Sequence, residues 1–113
     1  MTVMVDIRFH NMDSSDAIEA RVRERVKKLS RFFDRLVACR VAVEAPHKQH
    51  RKGNIHTVHI EMSVPGKDLV VSHAPHHPKE RYKEPDLYTL LNEAFDIAER
   101  QLKAYKEKLR GEA

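Results

Sequence analysis

The chain has 113 residues, and its 21 Lys and Arg against 17 Asp and Glu give a formal charge of +4 at pH 7. This length predicts one folding unit, and the single cysteine, Cys39, excludes an internal disulfide and a multi-cysteine zinc site and fits a reducing cytoplasm. No apolar run approaches the roughly 20 residues that a membrane span needs, and we expect no leader segment before Val3.

The first half of the chain shows strand, helix and strand patterns in turn. Apolar and polar residues alternate over residues 3–9, which predicts a half-buried strand. Apolar residues then recur every three or four positions, which predicts a helix over residues 15–34 that Ser15 or Asp16 caps. Alternation returns over residues 36–44, where a strand is expected. That strand should place four residues on one face, namely Val37, Cys39, Val41 and Val43.

A hairpin is predicted in the second half of the chain. Residues 55–64 alternate most clearly, with Val58, Ile60, Met62 and Val64 on one face. Pro65 and Gly66 then supply the preset φ and the positive φ of a type II turn. Residues 69–74 should therefore return as the antiparallel partner.

The hairpin is followed by a loop and a long helix. Residues 73–85 contain three prolines and are predicted to form a mobile loop. Asp86 is expected to cap the helix, which should run to Arg110 and stop at Gly111.

The order of elements is β-α-β-β-β-α, which predicts an α+β fold. The first β-α-β unit should join parallel strands by a right-handed crossover, and the later strands should pair antiparallel. We expect a two-layer sandwich, a four-stranded mixed sheet with two helices on one face.

No pattern in the sequence indicates an enzyme. Cys39 lies on the apolar face of a predicted strand, where an inert core thiol belongs. The sequence has no phosphate-cradling glycine loop, nucleophile elbow or His-Glu-x-x-His motif. We therefore predict no catalytic residues, no cofactor and no small-molecule substrate.

Histidine is enriched, with eight in the chain. His73, His76 and His77 lie close enough in sequence to share a metal ion, so a metal-responsive regulator is one alternative function. A tight site needs preformed geometry, however, and a proline-rich loop offers little of it. Solvated loop histidines are the favoured interpretation.

The basic residues are more informative because of their positions. Residues 14–35 carry seven basic against four acidic side chains, and the last helix is acidic early and basic late. Arg21, Arg25 and Lys28 line up beside the apolar stripe of the first helix. Two such helices side by side would form a groove with basic flanks, which suits a phosphate backbone. Because few aromatic residues are free for stacking, structured RNA is favoured over single strands.

Two sequence blocks resemble a known family. Leu29-Ser-Arg-Phe-Phe-Asp34 ends the first helix, Asp86-Leu-Tyr-Thr-Leu-Leu-Asn92 opens the last, and the β-α-β-β-β-α order surrounds them. Together they are similar to the ribosome hibernation factors, the family of hibernation-promoting factor and ribosome-associated inhibitor A, also called sigma-54 modulation proteins. The basic segment 100–108 is similar to the family's last helix.

The resemblance implies a function. It implies that residues 1–113 form a single domain that binds the small ribosomal subunit in the mRNA and tRNA channel, through 16S-type rRNA. Such a domain inhibits translation and promotes ribosome hibernation under stress. We expect a cytoplasmic monomer of the short form, without the C-terminal dimerisation domain of longer members. The predicted rRNA-binding residues are Arg21, Arg25, Lys28, Arg31, Arg100, Lys103, Lys106 and Lys108.

The sequence departs from the family at two positions and leaves one other RNA-binding function open. Ile97 and Ala104 stand where family members often carry lysine, and Lys103 is a substitute for the latter. A general double-stranded RNA-binding module is the alternative, although the first strand is an extra element for it. Charge reversal at Arg25, Lys28 and Arg100 is predicted to abolish ribosome binding and preserve the fold, because all three should be exposed.

Overall fold

The computed structural model describes residues 3–45, 56–74 and 87–111. The elements follow the order β1 (Met4–His10), α1 (Asp16–Phe32), β2 (Ala38–Glu44), β3 (Thr57–Val64), β4 (Lys67–His73) and α2 (Leu87–Gly111). The predicted order β-α-β-β-β-α and the α+β class are confirmed.

The four strands form one mixed sheet in the order β1-β2-β3-β4. β1 pairs with β2 in parallel, and the two other pairs are antiparallel, as predicted. Alternate residues of each strand point to the inner face, where they form rows across the sheet. One such row consists of Ile7, Val41, Ile60 and Val71.

Both helices cover the inner face of the sheet. α1 lies against β1, α2 lies against β3 and β4, and the two helices contact each other. The buried stripe of α1 joins the inner strand residues and the buried stripe of α2 in one hydrophobic core. Among the described residues, no polar or charged residue is fully buried in that core. The six buried residues of α2 are Leu90, Leu91, Ala94, Phe95, Ala98 and Leu102.

Local signals at the start of α1 and in the hairpin act as the sequence predicts. Ser15 is the N-cap of α1, and its Oγ accepts a hydrogen bond from the Ile18 backbone N–H at 3.2 Å. Gly66 has φ of +86°, the value that the second central residue of a type II turn requires. Because Val64 pairs with Lys67, the turn consists of two residues and fixes the register of the hairpin.

Some predicted boundaries and faces are wrong. Val37 is 55% exposed and precedes β2, so it does not share the buried face of Cys39. Its backbone instead bridges neighbouring strands, since its N–H donates to Ser63 and its carbonyl accepts from Met4. α2 continues through Gly111, which therefore does not stop it at Arg110.

Several predictions fall on residues outside the described ranges. They concern the loop after residue 74 and the cap Asp86. In the part of the chain that the structure does describe, no helix has the length and apolar character needed to cross a membrane.

Candidate nucleic-acid interface

α1 and α2 run side by side in the same direction. Arg25 contacts Asn92, and Lys28 contacts Glu99 one or two turns further along both helices. Further on still, the Lys106 Nζ donates to the Phe32 carbonyl at 3.0 Å. The contacts thus advance along both helices together, and the two C-terminal ends converge at one end of the domain.

Arg25 ties α1 to α2. Its Nη1 donates to the Asn92 side-chain oxygen at 3.0 Å, and its Nη2 lies 2.9 Å from Asp96 and 3.5 Å from Glu99. The guanidinium also lies 5.5 Å from the centre of the Phe95 ring. The Arg25 side chain is only 13% exposed. Its position is that of a residue that holds the helices together.

Arg21 and Lys28, which lie with Arg25 beside the apolar stripe of α1, also have partners. The Arg21 guanidinium lies 3.4 Å from the Glu24 carboxylate and 5.5 Å from the centre of the Tyr88 ring. Lys28 lies 3.3 Å from Glu99, but it is 65% exposed. Arg21 and Lys28 can therefore still reach an external anion, whereas Arg25 cannot do so without breaking the helix contact.

The predicted basic groove is therefore largely neutralised. Acidic residues of α2 face the cations of α1, and Glu99 contacts both Arg25 and Lys28. The expectation that Arg25 is exposed is wrong, because α2 packs over it. Charge reversal there would place a carboxylate against Asp96 and Glu99 and would disturb the fold.

Exposed cations remain on the outer surface of both helices. Arg100 follows Asp96 by four residues and Lys103 follows Glu99 by four, so each lies one turn beyond an acid that contacts α1. Arg31, on α1, is also exposed. Within the described ranges, these three cations have no ion-pair partner.

Lys108 lies apart from that surface. It follows Glu99 by nine residues, which at about 100° per residue places it on the opposite side of α2. It is exposed, but it does not face α1. The structure therefore brings Lys28, Arg31, Arg100 and Lys103 to one surface and leaves Lys108 outside it.

A cleft lies where the two helix ends converge, with a volume of about 470 Å³. We call it the C-terminal cleft. Lys106 lines it and reaches over the Phe32 ring, 4.6 Å from its centre. Arg35 and Arg110 were not predicted as site residues, because they lie at or beyond the helix ends, where helical spacing gives no signal. The lining residues are Arg31, Phe32, Phe33, Asp34, Arg35, Lys106, Leu109 and Arg110.

Cys39 is a core residue, as the sequence predicts. Burial raises the pKa of Cys39 to about 12, so the thiol stays protonated at neutral pH. A thiolate is the nucleophilic form, and this residue does not supply one.

The metal alternative receives no support from the described histidines. Among those residues, no three His, Cys, Asp or Glu side chains are placed to hold a metal ion. The His73 Nε2 lies 3.0 Å from Glu93 and links the end of β4 to α2. His76 and His77 lie outside the described residues.

The fold and the helix surface define a class of protein, the small α+β domain with exposed cations along two parallel helices. The chain belongs to the sigma 54 modulation protein / S30EA ribosomal protein family, whose model matches residues 5–110. This confirms the resemblance found in the sequence. The proteins of this family associate with ribosomes and are not enzymes, which confirms the prediction of a non-enzymatic protein.

Individual relatives agree with this assignment. The chain is 29% identical over 107 residues to a ribosome hibernation promoting factor from Azotobacter vinelandii, covering 94% of this chain and 85% of that protein. A ribosomal subunit interface protein from Coxiella burnetii superposes with a TM-score of 0.72 at 14% identity, covering 93% of this chain and 99% of that one. The N-terminal domain of Thermus thermophilus Protein Y gives 0.68 at 23% identity with the same coverage. At these identities the two structures support the fold.

Proposed function

We propose that this protein binds the small ribosomal subunit in the mRNA and tRNA channel and inhibits translation, promoting hibernation under stress. The proposal includes a monomer that acts in the cytoplasm. The observation that carries it is the set of exposed cations on one surface of two parallel helices, in a chain of a ribosome-associated family.

The exposed helix surface supplies the phosphate contacts in this proposal. Lys28, Arg31, Arg100 and Lys103 are spaced along two helices, as a folded RNA backbone requires. Arg guanidinium groups can hold a phosphate through two donors, and lysine acts as a mobile point charge. Arg25 holds α1 and α2 in register. It therefore sets the distance between the exposed cations of α1 and those of α2.

The described aromatic residues favour recognition of RNA shape over stacking along a strand. The Tyr105 hydroxyl donates to the Pro65 carbonyl at 2.7 Å, and its ring meets Phe33 edge-on. Tyr88 lies beneath Arg21. A protein that binds single strands needs a series of free aromatic faces, and these rings are engaged within the fold.

The names of the relatives agree with a ribosomal partner. The Azotobacter vinelandii relative is called a ribosome hibernation promoting factor, and the Coxiella burnetii neighbour is called a ribosomal subunit interface protein. Both names fit a protein whose partner is a ribosomal subunit.

Co-sedimentation with purified small ribosomal subunits at several salt concentrations tests the proposal. We expect association at low salt, with a log–log slope near one per phosphate contact as salt rises. An unrelated RNA duplex should compete poorly. Failure to associate at low salt would overturn the proposal, and equal competition by the duplex would favour the general double-stranded RNA-binding module.

A further inference from the structure

The C-terminal cleft has both a basic rim and an apolar lining. A site that binds only phosphate needs the basic groups but not the apolar ones. Its rim is cationic, with four basic side chains against the single acid Asp34. Its lining also contains Phe32 and Leu109, which are 38% and 40% exposed. Two of the five large apolar side chains that are exposed in the described ranges thus meet in one cleft.

The helix ends do not account for all of this positive charge. Each helix C-terminus carries about half a negative charge, so basic residues are favourable there. Lys106 already serves this purpose, because its Nζ donates to the Phe32 carbonyl in the last turn of α1. Two converging ends amount to about one unit of negative charge. Arg31, Arg35 and Arg110 together carry more positive charge than this amount of negative charge. Within the described ranges, these three residues have no ion-pair partner.

We propose that the C-terminal cleft holds one unstacked nucleotide of the bound RNA. Its base would lie against Leu109 and the exposed part of the Phe32 ring, which Lys106 only partly covers. Its phosphate would bind Arg35, Arg31 and Arg110. The cleft volume of about 470 Å³ falls within the range of about 300–1,000 Å³ that is usual for small-ligand sites. Bulges and loops are where folded RNA offers such a base, and aromatic or guanidinium planes are the groups that receive it. This inference rests on the proposed ribosome binding and adds a specific subsite to it.

The chemistry of the cleft distinguishes this ligand from others. A free phosphate would bind the cations and leave the apolar lining exposed to water. An apolar peptide segment would use the lining and leave three guanidinium groups unused. A nucleotide uses both, since it has a flat, weakly polar base and an anionic phosphate.

The test uses two RNA hairpins that differ by one bulged adenosine, with binding measured by fluorescence anisotropy. The wild-type protein should bind the bulged hairpin about fivefold to tenfold more tightly than the paired one. F32L keeps an apolar side chain but removes the aromatic face, and it should erase this preference. R35Q should weaken binding to both hairpins, and R23Q, on exposed α1 surface outside the cleft, should behave as wild type in its preference.

Other outcomes overturn the inference. Equal binding of the two hairpins by the wild type, or an unchanged preference in F32L, would show that no base enters the cleft. Displacement of the hairpin by equimolar adenosine monophosphate would assign the cleft to free nucleotides, and displacement by an acidic peptide containing phenylalanine would assign it to a protein.

Sedimentation separates this inference from the proposed function. If wild type, F32L and R35Q associate equally with small ribosomal subunits, the cleft assignment fails and the proposed function stands. If the wild type does not associate at all, the proposed function fails.

Discussion

The Arg25 Nη2 lies 2.9 Å from the Asp96 Oδ1, across the boundary between α1 and α2. The same guanidinium donates to Asn92, so one side chain of α1 contacts two successive turns of α2. The Arg25 Nε is buried and has no hydrogen-bond partner among the described residues, which is an energetic cost that the other contacts offset. The position of the exposed cations of α1 relative to those of α2 therefore depends on Arg25, a residue that solvent hardly reaches.

Removing this tie should destabilise the protein. R25A loses charge-assisted hydrogen bonds and the contact with the Phe95 ring, and we expect the free energy of unfolding to fall by about 1–3 kcal/mol. Urea unfolding followed by circular dichroism measures it. R23A is the matched control, because Arg23 is exposed on the same helix, and it should stay within about 0.5 kcal/mol of wild type. If R25A is as stable as R23A, the structural role assigned to Arg25 is wrong.

Glu99 should weaken RNA binding, because it holds Lys28 at 3.3 Å. E99Q removes that competitor, and a partly exposed surface ion pair of this kind is worth about 0.2–1 kcal/mol. Affinity for small ribosomal subunits should therefore rise by up to about fivefold. D68N makes the same charge change on exposed β4 and should have a smaller effect. Equal affinities for E99Q and D68N would mean that the ion pair does not compete with the RNA.

The buried thiol of Cys39 predicts a loss of stability in alkaline solution. Its pKa is raised to about 12, whereas the pKa of an unfolded cysteine is about 8.5. Between these values the unfolded chain releases a proton that the folded chain keeps. The free energy of unfolding should therefore fall as pH rises, by up to about 1.4 kcal/mol per pH unit from this residue.

Urea unfolding at pH 7.5, 8.5 and 9.5 under reducing conditions measures this slope. C39A lacks the thiol, and its slope over the same range should be shallower than that of wild type. Identical slopes would show that the folded protein ionises Cys39 as readily as the unfolded chain does.

The helices and strands were largely predictable because each has one buried face, which imposes period two or a helical stripe on the sequence. The limits of the strands were harder to place. β4 begins at Lys67, two residues before its predicted start, because the Val64–Lys67 pair closes the turn. Lys67 and Asp68 are both exposed, so no alternation marks them. Val37 continues the alternation in sequence but precedes the strand.

The candidate site was only partly predictable. Helical spacing gives the angle of a residue about its own helix, so it placed Arg21, Arg25 and Lys28 on one side of α1. It does not give the residues of a second helix that pack there, and Asp96 is 71 positions from Arg25. The C-terminal cleft depends on the convergence of two helix ends, which no local pattern encodes.

The central claim, that the surface shared by α1 and α2 binds the small ribosomal subunit, is tested most directly with two lysines of α2. Lys103 lies one turn beyond Glu99 on the side facing α1, and Lys108 lies on the opposite side. Both are exposed, so K103Q and K108Q make the same charge change at similar cost to the fold. The measurement is the salt dependence of co-sedimentation with small ribosomal subunits. K103Q should lower the affinity and reduce the log–log slope by about one, while K108Q leaves both unchanged. Equal effects of the two variants, or a larger effect of K108Q, would contradict the account.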